Sequence, residues 1–453
     1  MKKSRLRPFL YALLSLVLIL TFLLPISASP RRWTGIAFVG ALPAEDKCPL
    51  TVTHERLIFD IPGFEKNRGS VTAEYTLYNP YEEPIQSPLL FPLGCPTANT
   101  EYDSSTIYDN ELYGVFINDA PVSVRIRHTR LSGEQFEAST HTARLKDEKL
   151  SLPFFTDEMT VTKYELLVYN LEGGSGYAVC DATMDQTQTK LLSGNVSLFV
   201  QDPSNSITSY VSNGISLTVY AVGAPLTEPL SWHFYTNSLQ NEEVNGKVTL
   251  VSTETTSFRE LVFSNYDKDG AHALVSETDW YNAVTDSLTE EYPYLSLEPS
   301  LMRWYEYELT LAPKETLFHS VKAPLYPNED FSYDPAVYTY PYLFPPATRW
   351  QSFGELEIII RTPLYLGRDS SIDFEKTDEG YRTKLSVLPE GELYFSLCSK
   401  KNPKKEVTAW TILGVIFLGI GLFFMLFIAL LPLLLILFLI FRRRKKRKNK
   451  RTT

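Results

Sequence analysis

From Ala409 to Phe441 the chain runs thirty-three residues without a formal charge, and Arg442 to Arg451 then carries nine basic side chains in ten. An uncharged run of that length predicts a transmembrane helix over 409–441, and the basic cluster after it marks the cytoplasmic side. At about 1.5 Å per residue the run reaches roughly 50 Å, against a hydrocarbon core of about 30 Å. The helix is therefore expected to tilt, to bend near Pro432 or to extend past the core. The basic tail, 442–453, is too short to fold, and its expected role is stop-transfer and contact with membrane lipid.

The other end carries the matching half of this topology. Lys2, Lys3, Arg5 and Arg7 precede the apolar stretch Phe9 to Leu24, which ends in Ser27, Ala28 and Ser29. That order is the pattern of a secretory signal, so residues 1–29 are expected as a signal peptide or a retained N-terminal anchor. Pro30 disfavours a cut after Ser29, and a second possible site follows Ala41. All 53 acidic residues lie between the two apolar ends, against 30 basic ones, a balance of −23. Such a charge keeps an exported domain soluble and argues against nucleic acid as a partner. Cys48 lacks a lipobox, and the string Leu388 to Glu392 lacks the Thr of a wall-sorting signal, which leaves a plain membrane span.

The four cysteines, Cys48, Cys95, Cys180 and Cys398, all fall in the exported part, where they would form two disulfides or remain buried thiols. The exported part reads as β. Val71, Ala73, Tyr75 and Leu77 alternate with Thr72, Glu74 and Thr76, and Tyr305, Tyr307, Leu309 and Leu311 with Glu306, Glu308 and Thr310. Period-two alternation predicts antiparallel sheets with one wet face. The turn at Ala312 to Glu315 predicts a hairpin return through Leu317 to Val321. Further strands are expected over 356–362, 372–376, 381–388 and 393–398, with Asp378, Glu379 and Gly380 turning between the middle pair. Ser276 and Asp279 resemble a capping box for one short helix whose inward stripe is Trp280, Ala283, Val284, Ser287 and Leu288. The fold expected is mainly β: an antiparallel β-sandwich ectodomain over 45–270, and a second over 271–400 that contains the helix.

Few residues are placed for chemistry. Asn265, Asp267 and Asp269, followed by Gly270, resemble a Ca²⁺ loop, but the acid that should stand at position twelve, Glu277, falls at thirteen. A hairpin turn is the competing reading, so no cofactor is expected, with Ca²⁺ the alternative. The six histidines show no helical zinc spacing; His128 and His141 would converge only across a hairpin. The glycines at 173, 174 and 176 read as a hairpin tip, and Asp286, Glu290 and Glu291 as solvated carboxylates. Trp280, Tyr281, Trp304 and Trp350 could stack on sugars. Alternation puts Trp304 with Glu306 and Glu308 on the polar face, which makes it the foremost contact candidate, followed by Trp280 and Tyr281.

Two blocks resemble known families. Tyr75 to Gly94 is similar to a strand–turn–strand element of vault/inter-alpha-trypsin-type domains, with an aromatic strand, an Asn-Pro turn and a return ending in Phe-Pro-Leu. Tyr338 to Ile360 resembles the C-terminal block of membrane-anchored exported proteins of Gram-positive-type bacteria. The resemblance implies a β-rich exported fold and a cell type, and brings no site residue with it.

These observations lead to an expectation of a single-pass, membrane-anchored extracytoplasmic protein, non-enzymatic, that contacts a protein or a cell-wall polymer. The alternatives are a tethered hydrolase acting on wall glycans and a subunit of a membrane transport or secretion complex. A deep pocket of converging Asp, Glu or His would favour the hydrolase.

Overall fold

Period-two alternation carries through into the folded chain. In the strand Ser70–Tyr78, Val71, Ala73, Tyr75 and Leu77 are buried and the residues between them half-buried. In Leu301–Leu311, Tyr305, Tyr307, Leu309 and Leu311 are buried while Glu308 and Thr310 face water. The computed structural model describes residues 38–405, apart from 64–68, 95–112, 132–135, 186, 202–203, 227–229, 287, 289–294, 326, 368 and 389–391. The expected signal or anchor, the span 409–441 and the tail 442–453 lie outside the described residues. Among the described residues no helix is long and apolar enough to cross a membrane. The described chain is mainly β, in several sheets whose strands pair chiefly antiparallel.

The largest sheet has eight strands. Within it Cys48–Asp60 lies between Ser70–Tyr78, antiparallel to it, and Trp350–Arg361, parallel to it. Thr316–Pro324 follows beyond Ser70–Tyr78, and Gly380–Leu385 beyond Trp350–Arg361. A four-stranded sheet contains Leu42–Pro43, Ile85–Gly94, Leu301–Leu311 and Arg125–Arg130 in that order.

The expected hairpin return after Leu311 is not a hairpin. Leu301–Leu311 and Thr316–Pro324 belong to different sheets, and so do Ser70–Tyr78 and Ile85–Gly94. Each turn carries the chain from one sheet to the other, and Asn79 locks the two crossings together. Fully buried, it donates from Nδ2 to the carbonyls of Glu83 (2.8 Å) and Ala312 (2.9 Å), while its Oδ1 accepts from the Tyr81 amide at 2.9 Å. The Asn79 backbone amide donates to the Glu315 carbonyl. A buried amide side chain with its bonds made holds a turn as firmly as packing does.

Farther along, the strand Thr160–Tyr169 serves two cores. Leu166 and Val168 join Cys180, Ile207 and Val219 in one apolar cluster. Val161 joins Tyr220, Phe258, Trp280 and Val284 in another. Two short helices close the second cluster. Phe258–Val262 carries a full Ser257–Glu260 capping box, a helix that the sequence analysis did not anticipate. The expected helix is Glu277–Thr285, capped by Ser276, whose Oγ accepts the Asp279 amide at 3.1 Å. The Asp279 carboxylate serves a different strand, described below.

The chain divides into two compact units, and the division does not follow the expected 45–270 and 271–400 boundary. Leu301–Leu311 and Thr316–Pro324, downstream of 270, are paired with Ile85–Gly94 and Ser70–Tyr78 upstream of it. The second unit takes Pro327–Tyr340, Leu364–Ile372 and the chain from Tyr394. In it Tyr340 stacks on Phe395 with ring centroids 5.4 Å apart, and Thr339 and Ser396 share a hydroxyl hydrogen bond of 2.8 Å.

Candidate functional site

Two ionisable side chains far from their ordinary behaviour sit in the core of the first unit. Glu55 shares a strand face with Leu57 and Phe59, because a bulge between Val52 and His54 shifts the alternation upstream of it. Its Oε1 accepts from the Tyr342 hydroxyl at 3.0 Å, and Tyr75 is its second hydroxyl partner. The Tyr75 oxygen also accepts the Ala41 amide at 3.2 Å. His319 likewise stands where alternation demands an apolar residue, between Leu317 and Val321. It stacks between Tyr75 and Tyr307, each 5.5 Å from its ring, and shares a 2.9 Å hydrogen bond between Nε2 and the Tyr307 hydroxyl. Gly40 closes the cluster tightly: a Cβ there would come within 2.5 Å of the Tyr75 oxygen, and its φ of +62° suits glycine.

Burial governs the electrostatics. Glu55 is 1 % exposed and has no cationic partner among the described residues, and burial pushes its carboxyl up to about 7 in spite of the two tyrosine hydrogen bonds. His319, 0 % exposed, is driven down to about 3 by the same cause and stays neutral. The carboxyl and the imidazole are thus both uncharged around pH 6, and the cluster packs as neutral hydrogen-bonded aromatics. Neither residue stands among the candidates drawn from sequence. The signal was available, for both are polar side chains at inward positions of strands that otherwise alternate.

A second buried network joins Arg125–Arg130 to the helix Glu277–Thr285. Arg127 donates from Nε and Nη2 to Asp279 Oδ1, both at 3.2 Å, from Nη1 to Glu306 at 3.2 Å, and from Nη2 to the Lys146 carbonyl at 2.7 Å. Asp279 Oδ2 accepts the His128 amide at 2.9 Å. The Arg127 and Asp279 side chains are both about 3 % exposed, and this desolvated pair fixes the helix to the strand. Burial, with Arg303 next, drives the His128 imidazole down to about 3.

Elsewhere on the eight-stranded sheet, a buried carboxylate, Glu357, is paired with arginines that are about half exposed. The Glu357 carboxylate lies between Arg56, at 3.0 Å, and Arg382, and Lys384 bridges to Glu355 at 2.8 Å. Burial alone would raise the Glu357 carboxyl, but the two arginines outweigh it and hold it below the usual range. Arg382 and Lys384 also line an open groove of about 470 Å³, together with Asp373, Phe374, Glu375 and Thr383.

The residues singled out from sequence do not assemble. Trp304 is fully buried, not exposed: it packs against Phe136, and its Nε1 donates to Thr129 Oγ1 at 2.9 Å. Trp280 is 1 % exposed and donates to the Val262 carbonyl, and Tyr281 is 3 % exposed under the Lys149 ammonium. These three rings are core. Asn265 donates to Glu298, and Asp267 Oδ2 accepts the Ala271 amide, so the loop closes as a turn on its own side chain. Asp269 adds no ligand to them: among the described residues no three His, Cys, Asp or Glu side chains are grouped to hold a metal ion. Asp286 ends its helix and pairs with Arg144 at 3.4 Å; Glu290 and Glu291 lie outside the described residues. His141 packs on Phe136 and does not meet His128 in a metal-binding group. Cys48, Cys180 and Cys398 are buried free thiols, which excludes two disulfides, and Cys95 lies outside the described residues.

A mainly β protein of several antiparallel sheets, with its perturbed groups sealed inside, is the class that fold and site define. No family model matches the chain, and no curated protein matches it. Among solved structures it is similar to a Legionella pneumophila chain described as "a putative nutrient binding protein", at 9 % identity and a TM-score of 0.32, covering 80 % of this chain and 70 % of that one. A likeness that weak carries no argument about function.

Proposed function

We propose that the chain is a single-pass, membrane-anchored extracytoplasmic protein whose β-sandwich ectodomain contacts a protein or a wall polymer without catalysing a reaction. The observation that carries this reading is where the chemistry goes. Glu55, His319, His128 and the Arg127–Asp279 pair are consumed in packing, at 5 % exposure or less. A catalytic group needs contact with substrate, and these have none to offer. What solvent and partners meet is instead the exposed charges Arg56, Arg382, Lys384 and Glu355 on the strands beside the Phe374 groove, a surface suited to polar, reversible contact. The topology rests on the two apolar segments with basic flanks that bracket the acidic bulk.

Protease added to intact cells tests it. The expected product is a membrane-protected fragment that contains Ala409 to Thr453. Full protection of the chain from outside would overturn the topology and the function together.

A further inference from the structure

The strand Thr160–Tyr169 belongs to one of two sheets that share the Cys180 cluster. Leu166, Val168 and Val219 of one pack with Cys180, Ile207 and Phe234 of the other. That other sheet has five strands, in the order Ser197–Gln201, Ser204–Ser212, Ser175–Thr183, His233–Tyr235 and Glu243–Val244. The alternation that sends Ala178, Cys180 and Ala182 inward sends Tyr177 and Asp181 to the outer face. Register then sets three tyrosines in one row across neighbouring strands, with Tyr210 and Tyr235 on either side of Tyr177. At about 4.8 Å from strand to strand, the row is roughly 10 Å long.

Tyr210 is 62 % exposed, and Tyr177 and Tyr235 are half-buried. The Tyr177 and Tyr210 rings meet edge to face, 5.2 Å between centroids, so each braces the other. Among the described residues no hydrogen bond engages the three hydroxyls. Glu243 continues the row beyond Tyr235, and its Oε1 pairs with His233 Nδ1 at 3.0 Å. Ser175 and Ser212, two residues from Tyr177 and Tyr210 on the same face, add further hydroxyls.

Charge narrows what this face can meet. The five strands hold neither Lys nor Arg. Lys190 and Lys247, the nearest in sequence, stand on strands of the facing sheet, where the Lys190 ammonium lies over the Phe154 ring. An anionic polymer or lipid therefore finds no described cation on this sheet. A cationic partner would need carboxylates beside the rings. Only Glu243 adjoins the row, already bonded to His233, and Asp181 stands four residues from Tyr177, about 13 Å along the strand. In the adjoining turns Glu172, Asp185 and Glu242 bond Asn245, Thr187 and Thr236; Asp202 and Glu228 lie outside the described residues. An apolar partner would bury three hydroxyls with no bond made. A partner with C–H faces and many neutral hydroxyls satisfies the rings and the polar groups together.

From this row we infer that Tyr210, Tyr177 and Tyr235, with Glu243 and His233 beside them, bind a neutral polysaccharide laid across the strands. The inference rests on the extracytoplasmic reading above and deepens it, since it names a glycan as what this face contacts.

The test sediments the full chain, in a detergent without a sugar headgroup, with chitin and with cellulose, two insoluble uncharged glycans. Calorimetry with their soluble tetrasaccharides gives the affinity. The expected result is saturable binding to at least one of the two that added salt does not weaken. Tyr210→Ala lowers the affinity about tenfold, and Tyr210→Phe keeps it within about twofold. Val387→Ser, exposed elsewhere, leaves it unchanged. Binding to neither glycan, or to polylysine in their place, overturns the inference; the extracytoplasmic reading then stands or falls on its own protease test. Full affinity in Tyr210→Ala moves the glycan off this face and overturns the inference as well. Tyr210 is exposed, and an unchanged urea denaturation curve checks that its replacement leaves the fold intact.

Discussion

Replacing Glu55 by glutamine keeps the shape of the side chain and removes its charge. Burial holds this carboxyl at about 7, against an ordinary 4.5. A raised value means that the folded chain binds the proton more tightly than the unfolded one. The stabilisation is therefore complete below about pH 4.5 and is lost as the pH rises through 7. At roughly 1.4 kcal/mol per pH unit, the wild-type protein gives up about 2–3 kcal/mol from this group between about pH 5 and pH 8. The Glu55→Gln protein gives up none of it. Re-pairing of the amide with Tyr75 and Tyr342 adds an offset that does not change with pH. His128 and His319 titrate in both proteins, so their contribution cancels in the difference. Urea denaturation followed by tryptophan fluorescence at several pH values measures that difference directly. The variant is expected to gain on the wild type by about 2–3 kcal/mol over the interval. A difference that stays flat from about pH 5 to pH 8 refutes the claim that Glu55 is a buried carboxyl without a counter-charge.

His319 gives the opposite slope. Its folded value, about 3 against an ordinary 6.5, is depressed, so its stabilisation is present above 6.5 and is lost as the pH falls toward 3. His319→Phe should flatten the acid limb of the stability profile by about 3 kcal/mol between roughly pH 6.5 and pH 4. An acid limb as steep as the wild type's, in the same urea titration, counts against it. Asp279→Ala leaves Arg127 buried with its one buried carboxylate partner gone, and should cost about 3–5 kcal/mol in denaturant unfolding. A cost under about 1 kcal/mol would show that Glu306 and Asp147, the latter 3.3 Å from Arg127 Nη1, suffice to hold that charge.

How much of this was legible depends on how far each feature reaches along the chain. Alternation is local, so the inward faces of Ser70–Tyr78 and Leu301–Leu311 could be read residue by residue. The hairpin at Asp378 and Glu379 was equally readable, with Gly380 taking a φ of +145° where a Cβ would strike the Ile360 carbonyl. Which sheet a strand joins is not local. The two crossings at Asn79 and Ala312 are fixed by hydrogen bonds between residues 233 apart in sequence, and nothing in either turn announces them. Trp304 failed for the same reason: alternation gave its strand face, but the ring that packs over it comes from Phe136, far upstream.

Glu55 and His319 show what a stricter use of the same pattern would have yielded. An acidic or imidazole side chain at an inward position of a long alternating strand must either break the pattern or be buried neutral, because a lone charge in such a place is too costly. The chain takes the second course twice, on the two strands that flank Ser70–Tyr78 in one sheet. Tyr75 of that middle strand reaches both groups, bonding the carboxyl and stacking on the imidazole, while Tyr342 and Tyr307 supply the remaining hydroxyls. Tyrosine fits that task because it buries an apolar ring and still brings a hydroxyl. The abundance of tyrosine in this chain is therefore tied to its core as well as to its surface. Counting such residues as ligand contacts places their work on the wrong side of the sheet.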